Sequence, residues 1–161
     1  MTFIIDIQND SNYDIDAARL QAASQQVLKQ HDVDPNTALS IVFVDNAYIQ
    51  NVNRQFRGID APTDVLSFPA DDPPVEIDDE PPYLGDLIIA YPYASEQAVC
   101  EGHALSDSLS LLVVHGTLHL LGYDHDTPEH RAEMWAAQDA ALTALGISTA
   151  IVPALEGGDH G

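Results

Sequence analysis

The chain has 161 residues, 45% of them hydrophobic, which suits a single globular domain with one core. It carries 26 Asp+Glu against 5 Lys+Arg, a net charge of −21, which excludes a broadly basic surface for nucleic acid and repels polyanions at long range. The lone cysteine, Cys100, excludes an internal disulfide and suits a reducing cytoplasm, no signal peptide is visible at Met1–Asp6, and no run approaches the roughly 20 apolar residues of a membrane span.

Taken in chain order, Thr2 to Gln8 reads as a strand. Asp14 or Asp16 can cap a helix that runs to about Gln30, its apolar side supplied by Ile15, Ala18, Leu20, Ala22, Val27 and Leu28. Ala38 to Val44 is a β-branched strand, and Asp45 to Phe56 reads as helix. Asp64 to Phe68 and Leu84 to Tyr91 are two further short strands. Between them, residues 70–83 form an expected acidic, Pro-rich loop, too polar to pack a core. Tyr93 to Cys100 is helical, followed by a longer helix from Leu105 to Leu121 that stops at Gly122. Thr127-Pro128-Glu129 combines a capping Thr with Pro at the first helical position, opening a helix that ends at Gly146. The alternation predicts an α/β (α+β) fold, a mixed sheet of about four strands with helices packed on it. One catalytic domain is expected over residues 1–150, with 151–161 as a flexible tail.

The long helix carries the most informative run of the chain, His115-Gly116-Thr117-Leu118-His119-Leu120-Leu121-Gly122-Tyr123-Asp124-His125. Residues four apart on a helix project side by side, so His115 and His119 point the same way. A turn at Gly122 lets His125 swing back toward them. Three neutral imidazoles can hold a zinc ion and leave its fourth position open, the composition of a catalytic site rather than a structural one. Nickel, copper or iron could also bind such a set. The spacing equals that of the metzincin proteases, but those need a Glu directly after the first His, where this chain has Gly116. A metalloprotease-like zinc hydrolase is therefore the lesser alternative.

The same run resembles the signature of the bacterial YbeY endoribonucleases. Asn53-Arg54-Gln55-Phe56-Arg57-Gly58-Ile59-Asp60-Ala61-Pro62-Thr63-Asp64-Val65-Leu66-Ser67-Phe68-Pro69 is similar to a second block of that family. Gly85 to Ile89 and Gly102 to Leu105 resemble two more, and the likeness spans about residues 38 to 147 in order. The resemblance implies a single-strand-specific, metal-dependent endoribonuclease of 16S rRNA 3′-end maturation and ribosome quality control. It implies zinc on His115, His119 and His125 and a functional arginine at Arg57. It also implies ribosomal RNA, the small ribosomal subunit and an assembly GTPase as partners. A ribosome-assembly factor with non-catalytic zinc is a further alternative.

Phosphodiester cleavage builds negative charge on phosphorus, and a forked guanidinium suits that oxyanion better than an ammonium. Arg57 is the candidate for this role, and Arg54, three residues earlier, can share its helix face as a substrate contact. Asp124 can accept an N–H from a ligand histidine, or cap the turn. Asp86 can face the site from its strand, or bind backbone there. Tyr123 can reach substrate or sit half-buried at the turn. Cys100 and His103 have a zinc-like spacing with no second pair, Ser67 lacks a nucleophile turn, and His31, His130 and His160 are expected on the surface without partners.

Overall fold

In the computed structural model, described for residues 3–70 and 82–151, nine elements follow in order. They are β1 (Ile4–Gln8), α1 (Ala17–Gln30), β2 (Ala38–Val44), α2 (Asn46–Arg57), β3 (Val65–Pro69), β4 (Tyr83–Ala90), α3 (Tyr91–Glu101), α4 (Leu105–Leu120) and α5 (Pro128–Leu145). The expected acidic loop lies almost wholly outside the described residues. So does the expected tail beyond Ile151, which itself packs into the core.

The four strands form one mixed sheet in the order β1-β2-β4-β3. β1, β2 and β4 run parallel, and β3 pairs antiparallel with β4. Alternation along the strands gives the sheet two apolar faces. Ile5, Leu39, Ile41, Val65, Leu87 and Ile89 share a core with buried residues of α1, α4 and α5. Leu66 and Ala90 point the other way and pack with Ile49 of α2.

The capping residues act as their chemistry requires. Asp16, Asp45 and Thr127 each accept a backbone N–H in the first turn of α1, α2 and α5. Of the two carboxylates weighed for α1, Asp16 is the cap. Boundaries differ from expectation by a residue or two. β3 starts at Val65 because the Asp64 carboxylate accepts the Val65 N–H ahead of the strand. β4 begins one residue early, where the Ala38 N–H bonds to Pro82 O and Tyr83 pairs with Ala38. α3 begins at Tyr91 because Pro92 is pre-set for a first helical turn.

α4 is the central helix. From Leu109 to Leu118 every residue is buried, since the helix has α1, α3, α5 and the sheet around it. That explains why its sequence is apolar all round rather than striped. Gly116 marks its closest approach to the sheet. A Cβ there would lie 2.7 Å from Leu87 Cδ2 and 3.3 Å from Ser67 Oγ, so only hydrogen fits against the present packing. The histidine helix is therefore seated directly on β3 and β4.

Candidate metal centre

α4 ends where expected. Gly122 adopts φ 101°, a conformation that disfavours any residue with a Cβ. The Tyr123 N–H closes the turn on Leu118 O at 3.0 Å. The chain reverses, and His125 returns to the end of α4. Ring centroids of His115, His119 and His125 stand 4.6, 5.4 and 5.3 Å apart pairwise. One ring nitrogen from each lies within 4.8 Å of the other two. Among the described residues this is the one His/Cys/Asp/Glu group so arranged.

Hydrogen bonds behind the rings set which nitrogen faces inward. His115 Nδ1 is 2.6 Å from Gln138 Oε1, and His119 Nδ1 is 2.9 Å from the Tyr123 carbonyl. The Tyr123 carbonyl only accepts, so His119 Nδ1 carries the proton and its Nε2 presents a lone pair; with the Gln138 amide oxygen turned toward the ring, His115 does the same. Those two Nε2 atoms lie 3.1 Å apart. Two lone pairs at that distance repel unless a cation lies between them. Nitrogens bound to one tetrahedral ion at about 2.0–2.1 Å would sit roughly 3.3 Å from each other. The donor set thus fits a transition-metal ion, and fixing the ring tautomer from behind is how metal histidines are oriented.

The electrostatics agree. His119 is held below its ordinary value of 6.5, first by burial and then by neighbouring His125. The charge of Arg57 pushes the same way, while the Tyr123 carbonyl and Asp124 oppose it. The ring therefore stays neutral and able to ligate.

The other residues singled out by sequence fall as follows. Arg57 is exposed in the last turn of α2, near enough for its charge to act on His119. Arg54 is exposed and donates to Asn51 Oδ1 at 2.6 Å. Asp124 Oδ1 accepts the His125 backbone N–H at 2.8 Å, bracing the turn. Asp86 does not face the histidines. Its register with Ser40 and Phe68 puts it on the α2 side of the sheet, where Tyr83 Oη donates to it. Tyr123 is half-buried and bonds to His31 Nε2 at 3.0 Å, while His31 Nδ1 donates to Val27 O. His31 is thus not partnerless but ties α1 to the metal turn. His130 also has a partner, Asp126, at 2.7 Å. Ser67 is a strand residue whose hydroxyl faces the Gly116 carbonyl. Cys100 is exposed and joins no ligand group with His103.

Sequence reasoning missed Gln138 and Trp135. Gln138 is fully buried, and its signal is a polar residue in the apolar row Met134, Ala141 and Leu142 of α5. Trp135 packs edge-on against His115 and His125, with centroids 6.0 and 5.6 Å away.

Comparison with known proteins adds a family. A family model described as endoribonuclease YbeY matches residues 6–146. A Geobacillus thermodenitrificans protein of that description is 42% identical over 156 residues, spanning 92% of this chain and 99% of its own. One from Roseiflexus castenholzii is 43% identical over 150 residues, spanning 90% and 94%. The solution structure of a Thermotoga maritima protein shares the fold, with a TM-score of 0.55 at 23% identity over 99% of both chains.

Proposed function

Because this chain belongs to the endoribonuclease YbeY family, we propose that it is a zinc-dependent endoribonuclease acting on single-stranded RNA. The observation that carries the metal-dependent reading is the convergence of His115, His119 and His125, with the Nε2 atoms of the first two 3.1 Å apart. His115, His119 and His125 would hold the ion, with another divalent transition metal in its place under different supply. When bound, such an ion supplies Lewis-acid polarisation of a phosphate oxygen and of water.

The protein's own residues do the rest. Gln138 and the Tyr123 carbonyl hold two rings in the ligating tautomer. Asp124 fixes the turn that carries the third. Arg57 contacts the phosphate and offsets charge gathering on its oxygens, and Arg54 binds the strand one helical turn away. Residues 1–150 act as one catalytic unit. By family likeness the substrate is ribosomal RNA at the 16S 3′ end, in the cytoplasm, with the small subunit and an assembly GTPase as partners. Among the described residues no helix is long and apolar enough to cross a membrane.

The protease alternative is disfavoured by packing. The position after His115 is Gly116, pressed on Leu87 and Ser67, so a Glu there would point into the sheet rather than at a substrate. The test is cleavage of a single-stranded oligoribonucleotide by metal-loaded protein, beside His115→Ala and Arg57→Ala. Both variants should lose cutting with the fold intact by circular dichroism. Undiminished cutting by His115→Ala would rule the reading out.

A further inference from the structure

Beside the histidines lies a cleft of about 500 Å³ whose lining includes His125, Asp126, Arg131, Ala132 and Trp135. Its volume falls within the range of small-ligand sites, roughly 300–1,000 Å³. His125 and Trp135 line it on the side of the histidine cluster, where the indole packs against both His115 and His125. Arg131 Cζ lies 5.1 Å from the indole centroid, so the guanidinium rests on the ring. The two residues are four apart on α5, the spacing that brings helical side chains together.

The charge is unusual for its surroundings. The chain has 5 Lys+Arg in all. Arg19 is paired with Asp107, far along α4 from the histidines. A guanidinium is flat and polar only at its edge. With an aromatic ring behind it, the plane presents a surface on which a nucleobase can stack, while the edge donates to phosphate.

We infer that Arg131 and Trp135 form a stacking shelf for one unpaired nucleobase next to the phosphodiester that is cut. This deepens the endoribonuclease reading and rests on it, by naming the nucleotide subsite beside the metal centre. A base inside a duplex has both faces covered and must be unstacked to enter, which costs free energy. The shelf thereby favours unpaired strands without reading base edges, as aromatic platforms do.

Trp135 is the single tryptophan of the chain, so its intrinsic fluorescence reports the shelf directly. The full chain, loaded with zinc, is titrated with a short 2′-O-methyl oligoribonucleotide, which cannot be cut, and with an abasic strand of equal length. The base-bearing strand should quench Trp135, and the abasic strand should not. Arg131→Lys should weaken base-bearing binding about tenfold, the scale of one stacking contact, and leave abasic binding nearly unchanged, whereas Arg131→Ala, which also loses the contact to phosphate, should weaken both. Arg131→Lys keeps the charge and removes the plane, so it separates stacking from attraction, and unchanged zinc content shows the centre intact. Equal quenching by the abasic strand, or wild-type affinity in both variants, would overturn the shelf. Cleavage of ordinary RNA is scored separately. Cutting without quenching removes the shelf and leaves the nuclease, whereas quenching without cutting removes the nuclease and leaves the shelf.

Discussion

At the scale of single residues, the centre depends on what stands behind the rings. Gln138 touches no ion, yet it sets the His115 tautomer from a fully buried position. Gln138→Leu should lower zinc affinity about 10- to 100-fold, as loss of such a partner does, measured by competition with a chelator. Gly116→Ala forces a methyl against Leu87 and Ser67 and should cost roughly 1–3 kcal/mol in denaturant unfolding. His119 gives a pH dependence of definite sign. Its folded value lies below the ordinary 6.5, so the unfolded chain takes up the proton first. In metal-free protein this contribution to stability is complete above 6.5 and is lost as pH falls through the depressed folded value. Denaturation midpoints should drop on acidification, and less so in His119→Gln.

At the scale of elements, α5 does two jobs. Its first turn carries Arg131 into the cleft, and its middle carries Gln138 to the ring of His115. Thr127 caps it by accepting the His130 N–H, so Thr127→Ala should cost about 1 kcal/mol of stability. Weakened zinc binding in the same variant would show the coupling. Most of this layer was legible beforehand. Caps, Gly stops and β-branched runs are local signals, and they placed the four strands and the helices within a residue or two. The convergence of three histidines was legible too, because all three lie on one helix and the turn that ends it. What was hidden depends on contacts distant in sequence. Gln138 meets His115 across 23 residues, and His31 meets Tyr123 across 92. No periodicity encodes either meeting. The side of the sheet on which Asp86 falls was equally hidden, since it follows from register with β2 and β3.

At the scale of the whole molecule, the charge of −21 governs how RNA is met. Each phosphate neutralised on a single strand contributes a slope of roughly −0.7 in log affinity against log salt. On the proposed phosphate contacts of Arg54, Arg57 and Arg131, the slope should fall between about −1 and −2, shallow for a nuclease. Stacking, which salt does not screen, then carries a large share of affinity. Self-repulsion should also make the melting temperature rise with added sodium chloride, measured by scanning calorimetry.

The enclosure of α4 has a consequence for how the centre opens. Of the three candidate ligands, His115 sits within the buried stretch Leu109–Leu118 and His119 directly after it, while His125 hangs from a short turn beyond. Amide protons from Leu109 to Leu118 should exchange with deuterium only through global unfolding, while those around His125 exchange by local fluctuation. Release of the ion would then begin by detaching a single imidazole, with the remaining pair kept in place to receive the next one.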